Sequence, residues 1–270
     1  MAPSLVPNFE VKVLLQPSQV LGSDNKLNDA VLSAFNMKSK SKKMSIQFLD
    51  TANQALDGQG WNLRIRTSEG EDDLGLTYKK RYAISEGFSA TAEGSIDAAA
   101  NAAGQDGFDS TTSDEAQVEV GYQKQTLSIS YNVDLPDTGF GGTGLPPAED
   151  SRKFLIDNTP KEFKNWSATN WGTDQLNSAI IYGPVHAKRY KGTLDELKIF
   201  VEVWPIRKSK TDATLVPIVE ASFKADDLRA ALEGRAKLVD LVQKRGWFLD
   251  EDSLKTRLIM DRYGEAAPNP

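Results

Sequence analysis

Cysteine is absent from the chain, and histidine occurs once, at His186. A disulfide framework and a thiolate metal site are thereby excluded, and a lone histidine is more often a surface or packing residue than a catalyst. No stretch approaches the roughly 18 apolar residues of a membrane span. The opening MAPSLVPNFEVK has no basic start followed by an apolar run, so no signal peptide is expected. Nor is positive charge in surplus. The 32 basic residues face 38 acidic ones, a net charge of −6, which disfavours nucleic-acid binding through a basic surface. Hydrophobic residues make up 39% of the chain and charged ones 26%, enough for a real core in a soluble, cytoplasmic protein. One domain over 1–265 with a disordered tail at 266–270 is expected; no feature fixes an oligomeric state.

What is present is a careful placement of charge. In GWNLRIR, Trp61, Leu63 and Ile65 alternate with Asn62, Arg64 and Arg66. A strand sends successive side chains to opposite faces, so the two arginines emerge together. In LGLTYKKR, Thr77, Lys79 and Arg81 share one side, and Leu76 and Tyr78 the other. Side by side, these strands put four cations on one face, a site for something with several negative charges. Basic residues on a single polar face are ordinarily just solvated. Here the alternation recurs, with carboxylates, on other strands.

Along the chain, NFEVKVLL at 8–15 is a strand with Asn8, Glu10 and Lys12 on one side. A helix is expected over 24–36, capped by Ser23 or Asp24, and Met44–Leu49 is a strand. Residues 85–117 read as an insertion, helical in IDAAANAAG and a loop in STTSDEA. QVEVGYQKQTLSISYNVDL is a hairpin or one long bent strand. PDTGFGGTGLPP at 136–147 is a Gly/Pro loop; it lacks the Lys-Ser/Thr and following helix of a phosphate-binding P-loop. Helices are expected near 149–158 and 173–180, with Trp166 and Trp171 as packing residues. Strands follow at 185–190, 197–206 and 217–225, then a helix over 226–246 capped by Asp226 or Asp227, and a last short helix.

The order and spacing of FEVK, FLDT…GWNLRIR, LTYKKR and VEASFKADD resemble the CYTH group of triphosphate tunnel metalloenzymes, over nearly the whole chain. The resemblance implies an α+β fold: an eight-stranded antiparallel β-barrel, forming a polar tunnel, flanked by helices. It implies metal-dependent hydrolysis of a triphosphate, either inorganic tripolyphosphate or an organic triphosphate such as thiamine or nucleoside triphosphate. The cofactor would be Mg²⁺ or Mn²⁺, and the partner a triphosphate-containing small molecule rather than nucleic acid or membrane. Carried over residue by residue, Lys12, Arg64, Arg66, Lys79, Arg81 and Arg189 would bind phosphate. Arg189 is chosen over Lys188, which faces the other way, and Lys224 and Lys255 rank behind it. Glu10, Glu119, Glu202 and Glu220 would hold metal, with Glu10, Lys12 and Glu220 catalytic.

The sequence departs from the family pattern in two places. Glu-x-Glu-x-Lys on the first strand is here Asn8-Phe9-Glu10-Val11-Lys12, and a late Glu-x-Glu is Glu220-Ala221-Ser222. Two anionic ligands are missing. The alternative function is therefore a non-catalytic module that holds a polyphosphate or phosphorylated ligand over a degenerate metal site.

Overall fold

The computed structural model describes residues 5–85, 88–89, 91–109, 114–252 and 255–264; the expected tail at 266–270 and part of STTSDEA lie outside them. The described residues form ten strands: β1 Asn8–Leu15, β2 Lys42–Asp50, β3 Trp61–Ser68, β4 Leu74–Ile84, β5 Glu115–Val120, β6 Gln125–Leu135, β7 Ile180–Leu194, β8 Leu197–Arg207, β9 Leu215–Ala225 and β10 Phe248–Leu249. They run in the order β10-β1-β5-β6-β4-β3-β2-β7-β8-β9, and β9 pairs back onto β1. Nine strands thus close a barrel, while β10 only extends one end of β1 through Leu14 and Leu15.

The expected eight antiparallel strands are corrected on both counts. The extra strand comes from the stretch read as a hairpin or one bent strand: it is a hairpin, broken at 121–124 between β5 and β6. Nine is an odd number, so neighbours cannot alternate in direction all the way round. One pair must be parallel, and it is β1 with β5, from Asn8↔Gln117 to Val11↔Val120. The long insertion after β4, with its helix Glu93–Gln105, crosses over to start β5 parallel to β4 with β6 between them, and a connection between parallel strands must be long.

The barrel is polar inside and apolar outside. On β3, Trp61, Leu63 and Ile65 point outward into the core, as do Val11 and Val13 on β1 and Val201 and Val203 on β8. Helices cover them. Leu228–Lys244 lays Ala231, Leu238 and Val242 against β1 and β9, and its N-cap Asp227 accepts from the Ala230 N–H at 2.8 Å. Glu93–Gln105 covers β4 and β6 with Ile96, Ala99 and Ala103. Trp166 packs on Trp61 at 5.5 Å and Trp171 on Phe163 at 6.1 Å, as expected of packing aromatics. Asp50, in FLDT, turns the chain from β2 to β3 by accepting the backbone N–H groups of Thr51, Leu56 and Asp57.

One sector of the inner face is apolar. Met44, Ile46 and Phe48 of β2, Val185 and Ala187 of β7, and Trp204 and Ile206 of β8 pack against Ile259, Met260 and Tyr263. Ile259 and Met260 belong to the last helix, Lys255–Arg262, which packs on that sector beside the charged one. The helix expected over 24–36 is shorter, Asp29–Ala34, and is capped by Asn28 through the Val31 N–H. Among the described residues no helix is long and apolar enough to cross a membrane.

Candidate anion-binding tunnel

The barrel's interior encloses about 640 Å³, lined by all ten residues assigned to phosphate or metal from the sequence and, on one side, by Met44, Ile46 and Phe48. Strand alternation places them. β3 contributes Arg64 and Arg66, and β4 contributes Lys79 and Arg81, with Arg64 opposite Thr77 and Asn62 opposite Lys79. Glu10 and Lys12 come from β1, and Glu119 lies beside Glu10 on β5. Across the tunnel, Arg189 is opposite Glu202, and Glu202 opposite Glu220. Lys188 points outward, donating to the Asn25 carbonyl.

The carboxylates form two groups, each closed by cations. In the first, Glu119 receives Lys79 at 2.6 Å on Oε1 and Lys12 at 3.2 Å on Oε2, while Lys12 also reaches Glu10 at 3.0 Å. The Ser128 hydroxyl donates to Glu119 as well. Burial would raise the Glu119 carboxyl, but Lys12 and Lys79 outweigh it and hold it well below the usual carboxylate range. In the same way burial would lower Lys12, yet Glu119 and Glu10 hold it up. Lys79 has the opposite balance. Burial, with Lys12 and Arg81 close by, outweighs Glu119 and brings its ammonium down to about 8.

In the second group, Glu202 accepts from Arg189 Nε at 2.6 Å, from the Trp204 indole N–H at 2.8 Å and from Lys255 at 3.0 Å. Lys255 also donates to Glu220 at 2.8 Å. Burial opposes ionisation of Glu202, but Lys255 and Arg189 prevail and hold its carboxyl far below its ordinary value.

Four carboxylates thus meet four cations, Lys12, Lys79, Arg189 and Lys255. Arg64, Arg66 and Arg81 stand outside this balance, with no ion pair to an acid among the described residues. Arg64 donates one Nη2 bond to Thr77 at 3.1 Å, and Thr77 in turn donates to Asn132. Its Nε is buried and has no hydrogen-bond partner among the described residues. Burial, together with Arg66 and Arg189, brings the guanidinium down to about 10. The Arg64 guanidinium is thus a desolvated cation near two others, with Glu202 and Glu10 acting on it less strongly.

The metal expected of the family fares differently. Among the described residues no three acidic or histidine side chains converge as a cation site. Asn8 does not stand in for the missing acid: its amide joins Glu115 and Gln117 at the rim. The side chains as arranged do not fit a resident divalent ion, because a lysine occupies each carboxylate pair. Lys255, ranked behind the others in the sequence, is the residue that the tunnel uses most unexpectedly. Its sequence signal is a lysine leading into the apolar run Leu258, Ile259 and Met260 of a short helix, the last two of that run being buried.

No protein-family profile matches the sequence, and no curated protein matches it. Solved structures do. A Hippeastrum protein, presented as a candidate adenylyl cyclase with a dominant triphosphatase activity, aligns with a TM-score of 0.53 at 12% identity, over 92% of this chain and 93% of its own. A candidate adenylate cyclase from Bacillus halodurans aligns with a TM-score of 0.52 at 10% identity, over 93% and 96%. The shared feature at these identities is the fold, a closed β-barrel with helices around it.

Proposed function

We propose that the tunnel binds a triphosphate-bearing small molecule, with its phosphates against Arg64, Arg66 and Arg81 and with Lys79 and Lys12 beside them. One observation carries this: among the described residues three tunnel arginines make no ion pair with an acid, and one of them keeps a buried N–H without a hydrogen-bond acceptor. Arginine's planar fork suits phosphate oxygens, and a linear polyphosphate supplies enough charge to answer several cations at once.

A second reading is hydrolysis of the bound triphosphate with Mg²⁺ or Mn²⁺. The abreast carboxylates Glu202 and Glu220 and the triphosphatase activity of the Hippeastrum protein favour it. It ranks second because both carboxylates are already held by Lys255. Calorimetric titration with inorganic tripolyphosphate in chelator, paired with phosphate release in Mg²⁺, Mn²⁺ and chelator, separates the two. Binding in chelator without release in either metal supports the first reading. Metal-dependent release that disappears in Glu220→Ala establishes the second. No binding and no release overturns both.

Binding should also follow the titration of Lys79. Its ammonium is present below about 8 and lost above it, so tripolyphosphate affinity is expected to fall as pH rises from 7 to 9. The decline is at most about tenfold per pH unit for a single proton. In Lys79→Met the affinity is lower throughout and this step is gone, measured by calorimetry at fixed ionic strength.

A further inference from the structure

We infer that Lys255 is a tethered cation occupying the place between Glu202 and Glu220 where a divalent ion would sit, so that this tunnel holds its anion without metal. The statement about the anion rests on the proposed binding function; the exclusion of metal does not.

The need for a cation comes from the register. Glu202 and Glu220 are directly opposite on β8 and β9, and like charges so placed repel. Both are deeply buried, with side chains 8% and 3% exposed. Such a pair persists in its charged form only with a counter-ion between its members. Lys255 Nζ supplies it, at 3.0 Å from one carboxylate and 2.8 Å from the other. The ammonium also lies 4.5 Å above the Trp204 ring, a favourable cation–π position. That indole donates to the same Glu202 oxygen that receives the lysine. The cation therefore has a built seat of two carboxylates and an aromatic face.

The helix that carries it is fixed independently of these bonds. Ile259 and Met260 are buried against the barrel's inner apolar sector, with Tyr263 just beyond the helix. The Met260 carbonyl accepts from Gln54 at 3.0 Å, and Arg262 donates to the Arg207 carbonyl at 3.0 Å. Arg257 pairs with Asp57 at 3.1 Å. An ammonium anchored by such packing competes as an intramolecular ligand, at an effective concentration that a free ion in solution must exceed. A divalent ion would also need further oxygens, since Mg²⁺ and Mn²⁺ favour six ligands. The two positions from which the family pattern would add carboxylates hold Asn8, committed to the rim, and Ser222.

The test uses Mn²⁺ alone, with no phosphate present, followed by electron paramagnetic resonance on the full chain. The wild type is expected to leave the free-ion signal unchanged over a range in which Lys255→Met takes up one equivalent. The variant's affinity should be higher by roughly tenfold or more, the scale on which removing or adding a neighbouring group changes metal sites. Bound Mn²⁺ should quench Trp204 fluorescence in that variant, and Lys255→Met combined with Glu220→Gln should abolish both effects. Methionine keeps the stem over the indole, and near-ultraviolet circular dichroism checks the fold. The inference is overturned if wild-type protein binds Mn²⁺ at a site that Glu202→Gln removes, a measurement that needs no lysine variant. It is equally overturned if a natively folded Lys255→Met gains no Mn²⁺. Should tripolyphosphate fail to bind while these results hold, the proposed function falls and the tethered cation stands.

Discussion

Arg64→Met should bind tripolyphosphate more weakly than the wild type while unfolding at the same temperature or higher. The two effects share one cause. In the tunnel Arg64 is desolvated and sits near Arg66 and Arg189, which brings its guanidinium down to about 10. Below that pH the folded chain must keep a charge that the unfolded chain holds more comfortably, so removing it relieves the fold. Methionine fills much of the arginine stem without the charge, and the Nε that lacks a hydrogen-bond partner among the described residues disappears with it. Binding moves the other way. A charge-assisted hydrogen bond contributes about 1.5–3 kcal/mol, which corresponds to a loss of roughly ten- to a hundredfold in affinity. Arg64→Met combined with Arg66→Met should lose about a thousandfold or more on the same scale. Calorimetry and thermal unfolding in phosphate-free buffer measure both sides. A variant that unfolds early and binds normally would make Arg64 a structural residue, and the anion site would fail with it.

The arginine wall was legible because strand alternation is a local rule. GWNLRIR and LGLTYKKR place Arg64, Arg66, Lys79 and Arg81 on the inner face as the sequence indicates; the same period of two says that only one of Lys188 and Arg189 faces inward, while the choice of Arg189 comes from the family resemblance. The strand count was harder, since Gly121 and its neighbours mark only weakly where β5 ends and β6 begins. The parallel pair was beyond local reading altogether: it follows from closing an odd number of strands, a property of the whole barrel. The carboxylates show the same limit. Four glutamates could be assigned to the tunnel, but which cation meets each depends on cross-strand register and on where the last helix returns. Lys255 lies on no strand, so the period that found the other cations could not place it. The early helix was misjudged at its start because Asp24 is used in a tight turn, accepting from the Lys26 N–H, and leaves the cap to Asn28.

Glu202→Gln tests the opposite wall and should act with the opposite sign from Arg64→Met. Glu202 gathers Arg189, the Trp204 indole and Lys255, and an amide cannot answer three donors with a full charge. Removing one partner of a buried ion pair costs about 3–5 kcal/mol. The lower end is expected here, because Arg189 is partly exposed to solvent and Glu220 still holds Lys255. The pH dependence identifies the cause. The Glu202 carboxyl titrates far below its ordinary 4.5 in the fold, whereas in the unfolded chain it takes up its proton near that value. Its contribution is therefore complete above about pH 4.5 and drains away as pH falls below it, because the unfolded state binds the proton first. Wild type and Glu202→Gln should differ most near neutrality and converge on acidification, as read from urea unfolding between pH 7 and pH 3. A gap that stays constant down to pH 3 would mean that Glu202 contributes shape rather than charge. Arg189 and Lys255 would then no longer be neutralised by it, and the pairing of tunnel acids with tunnel cations would have to be drawn again.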